Sequence, residues 1–598
     1  MAAIRYHSEY KSFTQDIYRI EIWDSEHTGD STEFTSGQDG FSLRYEGEGS
    51  SAEGVILATS CEIAFYVENT VHEELITDIG TSEEGRFMVR ILWTASDLKF
   101  WHGMLLPDIG SYEEAYYPYV LKLKATDGLA SLKDVDYNDD GDEYAGKQTL
   151  LQHLLNCLTK LPYIDTFYGS GDNFVSSYID WWETRHTHNS GSQCALSQTY
   201  ADHAAFITYE KSTPEFTSCY AVIENIMTIL RARITSANGS FWVEQMSYRT
   251  ASTVIGRGYT KTGTFLGTGN FSGANVINQT AGGALEAVGT YEFMAPIKRH
   301  IHTFKSLLRR NFLAGAPEWT ESNFLDKTIN KPIQSNSNAT TLRITGNINV
   351  TISSNTAPGT AMPPFVMVFR VRVKIGTKYL RRPYTLTPTY QINYDPTNWS
   401  SSPDYAYVLK LVDNGFFLGN TTGASFTFTQ VVDFMTAGVQ ESADNFDFGF
   451  ALSSLTRYDG TAMSLPDFDI AYSFENANLQ AYSYGAPINT EDEREYNCFN
   501  DLHPNNSLVT KSLAMLGTGT DPNTVGALWV QDGASKALAD NWGEGVETPG
   551  KDIEALVAET TVSARAVPNR ILNGTLAGNI VAMSRLHWLG EKWILLGG

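Results

Sequence analysis

Hydrophobic and polar positions alternate with a period of two through much of this chain. In "DIYRIEIWD" (16–24), Tyr18, Ile20 and Ile22 fall on one side and Ile17, Arg19 and Glu21 on the other. Each side mixes polar with apolar residues, but the period is a strand's. "FSLRYEG" (41–47), "CEIAFYV" (61–67), "GRFMVRILW" (85–93) and "LKFWHGMLL" (98–106) repeat it, and "YYPYVLKLKATDGLASL" follows. With turn-rich segments between them, these strands predict a compact antiparallel β domain over residues 1–125.

The period then changes. "KQTLLQHLLNCLTKL" places Leu150, Leu154, Leu158 and Leu161 on one helical face. Val222, Ile226, Ile229 and Leu230 make a second helical stripe, followed by "ARITS", an Asn238–Gly239 turn and the strand "SFWVEQM". Residues 126–250 therefore read as an α+β domain. From 251 to about 300 the chain is rich in Gly and Thr, without a phosphate-binding glycine motif, and residues 251–314 read as a connecting β/loop segment that completes the neighbouring β domains.

Strand patterns return over 315–480. In "FVMVFRVRVKI" (365–375), Arg370, Arg372 and Lys374 alternate with Val371, Val373 and Ile375, which predicts one charged and one buried face. This stretch is expected to be an inserted β-sandwich of jelly-roll type. In the terminal segment 481–598, "DPNTVGALWVQDGASKALADNWG" (521–543) reads as a helix broken near Gly533, and "GKDIEALVAETTV" (550–562) as a shorter one. The end reads as strand, turn, strand, with "LGEKW" between "SRLHW" and "WILLG". The fold class is thus mainly β and multidomain.

Composition sharpens this picture in three places. Aromatics reach 12% of the 598 residues, and no run of about eighteen apolar residues occurs to span a membrane. "MAAIRYHSEYKSF" lacks the basic-then-apolar pattern of a secretory leader, which predicts synthesis in a cytoplasm. The five cysteines (Cys61, Cys157, Cys194, Cys219, Cys498) are scattered and form no CxxC, so buried free thiols are expected.

The net charge of −25 is uneven: residues 1–150 hold 29 acids against 11 Lys and Arg, a net of −18, and leave −7 to the other 448. Such a surface repels nucleic acid, whose binding requires neutralised phosphates, and serves solubility as well. Within "DVDYNDDGDEYAG" (134–146), Asp136, Asn138, Asp140 and Gly141 match positions one, three, five and six of an EF-hand loop. Position twelve needs a bidentate Glu and is Lys147, so a solvated acidic loop is expected there.

The order of these features is similar to a known family. "YRIEIWD", "DGLASLKDVDY", "YAGKQTLLQHLLNCLTKL", "VIENIMTILRARITSANGSFWVEQ" and the closing "RILNGTLAGNIVAMSRLHW…EKWILL" resemble the tail hub proteins of long-tailed bacteriophages, particularly those of phages infecting Bacteroidetes hosts. The resemblance covers most of the first 250 residues and the last 100, and stops at the 315–480 insertion. It implies hub-type β-barrel domains and a non-enzymatic homotrimer in the virion, at the distal end of the tail. A tail tube or distal tail protein would sit above it and a central fibre or spike below. It also implies a ring, built from residues 1–125 and from strands of the terminal region with part of 251–315, that lines a DNA exit channel.

Candidate chemistry is sparse, and no cofactor is expected. Cys157 with His153 one helical turn before it is the nearest approach to a cysteine-lysin pair, but it lies in a Leu-rich stripe that predicts a core thiol. His186 and His188, and His300 and His302, alternate without an HExxH frame and read as loop or strand histidines. No GxSxG elbow occurs. In the insertion, "TYQINYDPTNWSSSPDYAY" gathers Tyr390, Tyr394, Trp399, Tyr405 and Tyr407, a candidate contact for a host-surface glycan. The alternative is packing at the sandwich edge. A carbohydrate-binding or wall-degrading β protein is the second functional expectation.

Overall fold

A computed structural model describes residues 2–306 apart from 13–14, 47–53, 96–97, 108–115, 145, 188–192, 209–214, 248–253, 272–275 and 279–289. It also describes 311–594 apart from a series of loops, the longer being 314–318, 321–326, 334–338, 355–360, 387–391, 418–424, 457–467, 484–492 and 574–584. The architecture is mainly β, with several sheets and several domains.

The first 126 residues form an antiparallel meander. Ala3–Lys11, Ile17–Asp24, Phe87–Trp93, Leu98–Leu105, Tyr119–Thr126 and Ile56–Val67 lie side by side in that order, and Thr35–Glu46 pairs with the last. Alternation places Tyr18, Ile20, Ile22, Ile63, Phe65, Val89, Ile91 and Leu121 in one core. The polar side of Ile17–Asp24 is also covered. Glu21 accepts from Arg90 at 2.9 Å and from the Trp23 indole at 3.1 Å, and Arg90 lies over the Trp23 ring. Asp24 is fully buried and accepts from Arg5 at 2.8 Å, from Arg86 at 3.0 and 3.1 Å, and from the Glu26 amide at 2.9 Å. Burial pushes this carboxyl's pKa up, but the bonds from Arg86, the Glu26 amide and Arg5 outweigh it and hold it at about 2.

A helix over Thr70–Thr81, not expected from the apolar pattern, covers the same core with His72, Leu75, Ile76 and Ile79. Its start is a capping signal: the Asn69 side chain accepts from the His72 amide at 3.1 Å.

The sheet does not stop at residue 126. Ile56–Val67 pairs in parallel with Ala232–Ala237 through Ile56 and Leu57, and the sheet runs on through Ser240–Gln245, Val175–Tyr178, Val254–Tyr259 and Phe265–Phe271 to 13 strands. The Gly/Thr-rich stretch after 251 thus supplies two paired edge strands. Its glycines permit close pairing: a Cβ on Gly256 would lie 2.3 Å from the Tyr178 ring. Asn238 and Gly239, with φ of +48° and +70°, close the Ala232–Ala237 and Ser240–Gln245 hairpin. Helices Leu150–Leu158 and Cys219–Ile229, capped by Thr149 and Ser218, lie over this half and bury Leu150, Leu154, Leu158, Val222 and Ile226.

Residues 521–543 contradict the expected helix. Trp529–Asp532 and Ser535–Leu538 form a hairpin around Gly533 (φ +59°), and Trp542–Glu544 pairs with Trp181–Glu183. The apolar spacing came from alternation, with Val530 and Trp529 buried against Thr199 and Tyr200. The second expected helix is present as Ile553–Ala564, and Arg585–Trp588 and Glu591–Ile594 form the closing hairpin.

The insertion is a sandwich of two antiparallel sheets. Thr340–Ser354 pairs with Phe468–Ser483 in one, and Phe365–Ile375 with Phe446–Thr456 in the other, a nested pairing of jelly-roll kind. Val371, Val373 and Ile375 are buried with Ile344, Ile348, Phe448 and Phe474 between the sheets.

Candidate assembly surface

The sandwich leaves and rejoins the chain at one small sheet. Arg299–Lys305 is its central strand, antiparallel to Glu493–Phe499 and parallel to Val509–Ala514. Lys305 stands opposite Glu493, with 3.6 Å between ammonium and carboxylate. The chain therefore departs for the insertion and returns from it on adjacent strands.

Alternation gives this sheet two unlike faces. The inner one carries His300, His302 and Phe304 from the central strand, with Arg494, Tyr496, Thr510 and Ser512 beside them. Helix Ile553–Ala564 covers it. His300 reaches Thr510 and Ser512 hydroxyls, each at 2.8 Å, and His302 Nδ1 lies 2.7 Å from the Ser512 hydroxyl. Burial, reinforced by the neighbouring His300, holds the His302 pKa down at about 3, so its ring is neutral. Tyr496 donates to Asp552 at 2.6 Å, and the Thr518 amide donates to the buried Glu554 at 2.6 Å. A Cβ on Gly517 would lie 2.2 Å from that Glu554 oxygen, so the close approach needs glycine.

The outer face is uncovered. Phe499, 56% exposed, and Val509 flank Arg299; Asn497 and Lys511 flank the buried Ile301; and Leu513, 59% exposed, lies across Thr303 from Glu495. Loop residues extend the apolar patch: Leu502 is 67% exposed, with Leu508 and Val567 beside it in exposure. These loops are held to the sheet, not loose. The Lys298 amide donates to Leu508 O at 2.7 Å, and the Asn500 side chain donates to the carbonyls of Ile297 (2.7 Å) and Ala566 (2.9 Å). Lys511, Glu495 and Asn497 are exposed on the same face, interleaved with these apolar positions. Among the described residues neither outer strand has a further strand on its free edge. A fixed face that mixes exposed apolar and charged residues and has open edges is the form of an interaction surface. Only the alternation of "EREYNCF" and "VTKSLA" hinted at it in sequence.

The residues singled out from sequence are elsewhere. Trp399, in strand Asn398–Ser400, is half-buried against the sandwich core and its indole N–H donates to Ala437 O at 2.8 Å. Tyr394 ends a separate short strand, Ile392–Tyr394, opposite Tyr384. Tyr390 and Tyr405 lie outside the described residues. The structure thus places Trp399 and Tyr394 in different sheets.

Cys157 is fully buried beside Cys219, and burial pushes its thiol well above the ordinary range. His153 faces Tyr137, whose hydroxyl is 2.5 Å from Nδ1, and Nε2 lies 3.1 Å from Ala201 O. Burial lowers its pKa to about 4. His186 accepts the Glu183 amide at 3.0 Å, and His188 lies outside the described residues. All five cysteines are free.

In the acidic loop, Asn138 spends its side-chain oxygen on the Gly141 amide at 3.2 Å, and Asp139 and Asp142 bond each other through the backbone. Lys147 places its ammonium 3.3 Å over the Trp529 ring. Among the described residues no three His, Cys, Asp or Glu gather to hold a metal. Adding a chelator is expected to leave the thermal midpoint within about one degree of its starting value, because a bound ion stabilises only what it binds. A fall of many degrees in differential scanning fluorimetry contradicts this.

No family model matches the chain, and no curated protein matches it. Among solved structures, the 43 kDa tail protein of prophage MuSo2 from Shewanella oneidensis is similar over 45% of this chain and 62% of that one, with 10% identity and a TM-score of 0.23. The similarity thus spans less than two thirds of that protein's length, and a TM-score this low carries no weight for fold or function.

Proposed function

We propose that this protein is a structural component of a bacteriophage tail: a homotrimeric hub that joins the tail tube to the tail tip and lines the DNA exit path. The observation that carries the reading is the outer face of the sheet around Arg299–Lys305, which exposes Phe499, Val509 and Leu513 at the root of an inserted sandwich. A second copy of the chain is its occupant. The sequence resemblance to tail hubs supplies the expectation of threefold closure. The insertion, joined through two adjacent strands, projects as a decoration that contacts another tail protein or a host-surface glycan.

Charge supports the channel role. Residues 1–150 carry a net of −18. Several cations there are already neutralised, since Arg5, Arg86 and Arg90 pair with the buried Asp24 and Glu21. Exposed Glu26, Asp30, Glu33, Asp39, Glu83 and Glu84 remain to repel phosphates. Amine-to-carboxyl cross-linking of the purified protein is expected to give a three-chain band whose linked peptides include Lys511 or Lys298. Links confined to single chains, or trimers whose links all lie elsewhere, count against this face.

A further inference from the structure

The sheet around Arg299–Lys305 has two open edges as well as an exposed face. Among the described residues no strand pairs with the free side of Glu493–Phe499 or of Val509–Ala514. Both edges are long and regular. Glu493–Phe499 follows the central strand over seven consecutive residues and Val509–Ala514 over six, with no bulge in either register. Neither holds a proline. An unpaired edge of this kind is a template for another strand, and its side chains decide which strand it accepts.

The charges on the two edges are opposite. On the outer face Glu493–Phe499 exposes Glu493 and Glu495, whereas Val509–Ala514 exposes Lys511. Glu493 is engaged by Lys305 at 3.6 Å. Glu495 and Lys511 have no hydrogen bond or ion pair among the described residues. Joining like edges about a twofold axis gathers like charges at that axis, and joining unlike edges brings Lys511 to the acids. Opposite charges across a strand pair stabilise it and like charges destabilise it. Strand direction agrees. Glu493–Phe499 runs antiparallel to the central strand and Val509–Ala514 parallel to it, so the two edges run opposite ways. Rotation about an axis along the strands keeps each direction. Unlike edges of two copies then meet antiparallel, the commoner kind of ladder.

We infer how the subunits of the proposed homotrimer join, an inference that rests on that reading: Glu493–Phe499 of each chain pairs antiparallel with Val509–Ala514 of the next. Unlike-edge contacts run head to tail, and head-to-tail contacts close into rings. With each strand at the level it holds on its own central strand, Val509 lies beside Phe499 of the next copy. Lys511 then lies beside Asn497, with Glu495 on the diagonal. A diagonal neighbour is about 7 Å away, within reach of a lysine.

Disulfide trapping in the full chain tests this, with Cys498→Ser to remove the half-buried native thiol of the edge strand. Two double variants, Lys511→Cys with Asn497→Cys and Lys511→Cys with Glu495→Cys, cover this register and the one a pair along. At least one is expected to give covalent trimers under oxidised glutathione, and each single variant to stay unlinked. Within one chain these positions lie two strand spacings apart, about 9.6 Å, beyond the roughly 7 Å a disulfide spans. Circular dichroism checks that each variant is folded. Covalent dimers from a single variant overturn the inference in favour of like-edge pairing. Sedimentation of the unaltered chain separates the two readings. A trimer that neither double variant links overturns the edge pairing alone, and a monomer overturns both. Lys511→Glu is expected to weaken trimer association by about tenfold or more, and Glu495→Lys in the same chain to recover most of it. A loss without recovery overturns the role given to these charges.

Discussion

Replacing Phe499 and Leu513 together by aspartate is expected to yield a folded monomer, where the proposed assembly makes the unaltered chain a trimer. Both side chains are more than half exposed on the outer face of the Arg299–Lys305 sheet, and neither belongs to a core. Substitution at such positions shifts stability within about 0.5 kcal/mol. If a second copy covers this face, each aspartate instead buries an unpaired charge at the contact, at a cost of several kcal/mol. About 4 kcal/mol weakens association roughly a thousandfold. Sedimentation velocity reads the outcome directly. Val431→Asp, at an exposed position in the sandwich, is the control and should leave assembly intact. A double variant that sediments like the unaltered protein means the face is not a subunit contact.

Acid is expected to unfold the protein well before its carboxylates are titrated. His102, His153 and His302 are buried and neutral, with pKa values held to about 3, 4 and 3. Burial is the leading cause in each, joined at His102 by the charges of Lys99 and Arg90 and at His302 by His300. In the unfolded chain each ring takes up a proton near pH 6.5. The unfolded state therefore binds more protons below that pH, and stability falls as pH drops from about 6.5 toward 4. At pH 5 each ring contributes a loss of up to about 2 kcal/mol. Asp24 acts lower down. Its folded pKa of about 2 lies below its ordinary value, so its contribution is complete above about pH 4 and is lost as pH falls through about 2. The thermal midpoint should drop by many degrees between pH 7 and pH 5, with net proton uptake on unfolding. A flat midpoint across that interval contradicts the neutral burial of these histidines.

Local pattern carried much of the fold into view. The strands around Ile20, Ile63, Val89 and Leu121, the Leu150–Leu158 helix, and the Asn238–Gly239 hairpin each follow from periodicity or turn chemistry confined to a dozen residues. The helix at Thr70–Thr81 was hidden because its buried residues are few and its clearest mark is one cap, Asn69. Residues 521–543 misled because Val525, Leu528 and Trp529 fit a helical spacing. Gly526 and Gly533, both at positive φ, instead turn the chain, and Trp529 and Val530 find partners more than 300 residues away. The candidate surface was less legible still. Its strands, 299–305, 493–499 and 509–514, are joined across a whole inserted sandwich. The aromatic cluster near Trp399 drew notice through density alone, and the structure divides Trp399 and Tyr394 between two sheets.

Native mass spectrometry of the purified chain tests the central claim most directly. The account predicts a dominant species at three times 66.3 kDa that persists on dilution. A strict monomer at concentrations of tens of micromolar, about where a specific interface holds, would contradict it.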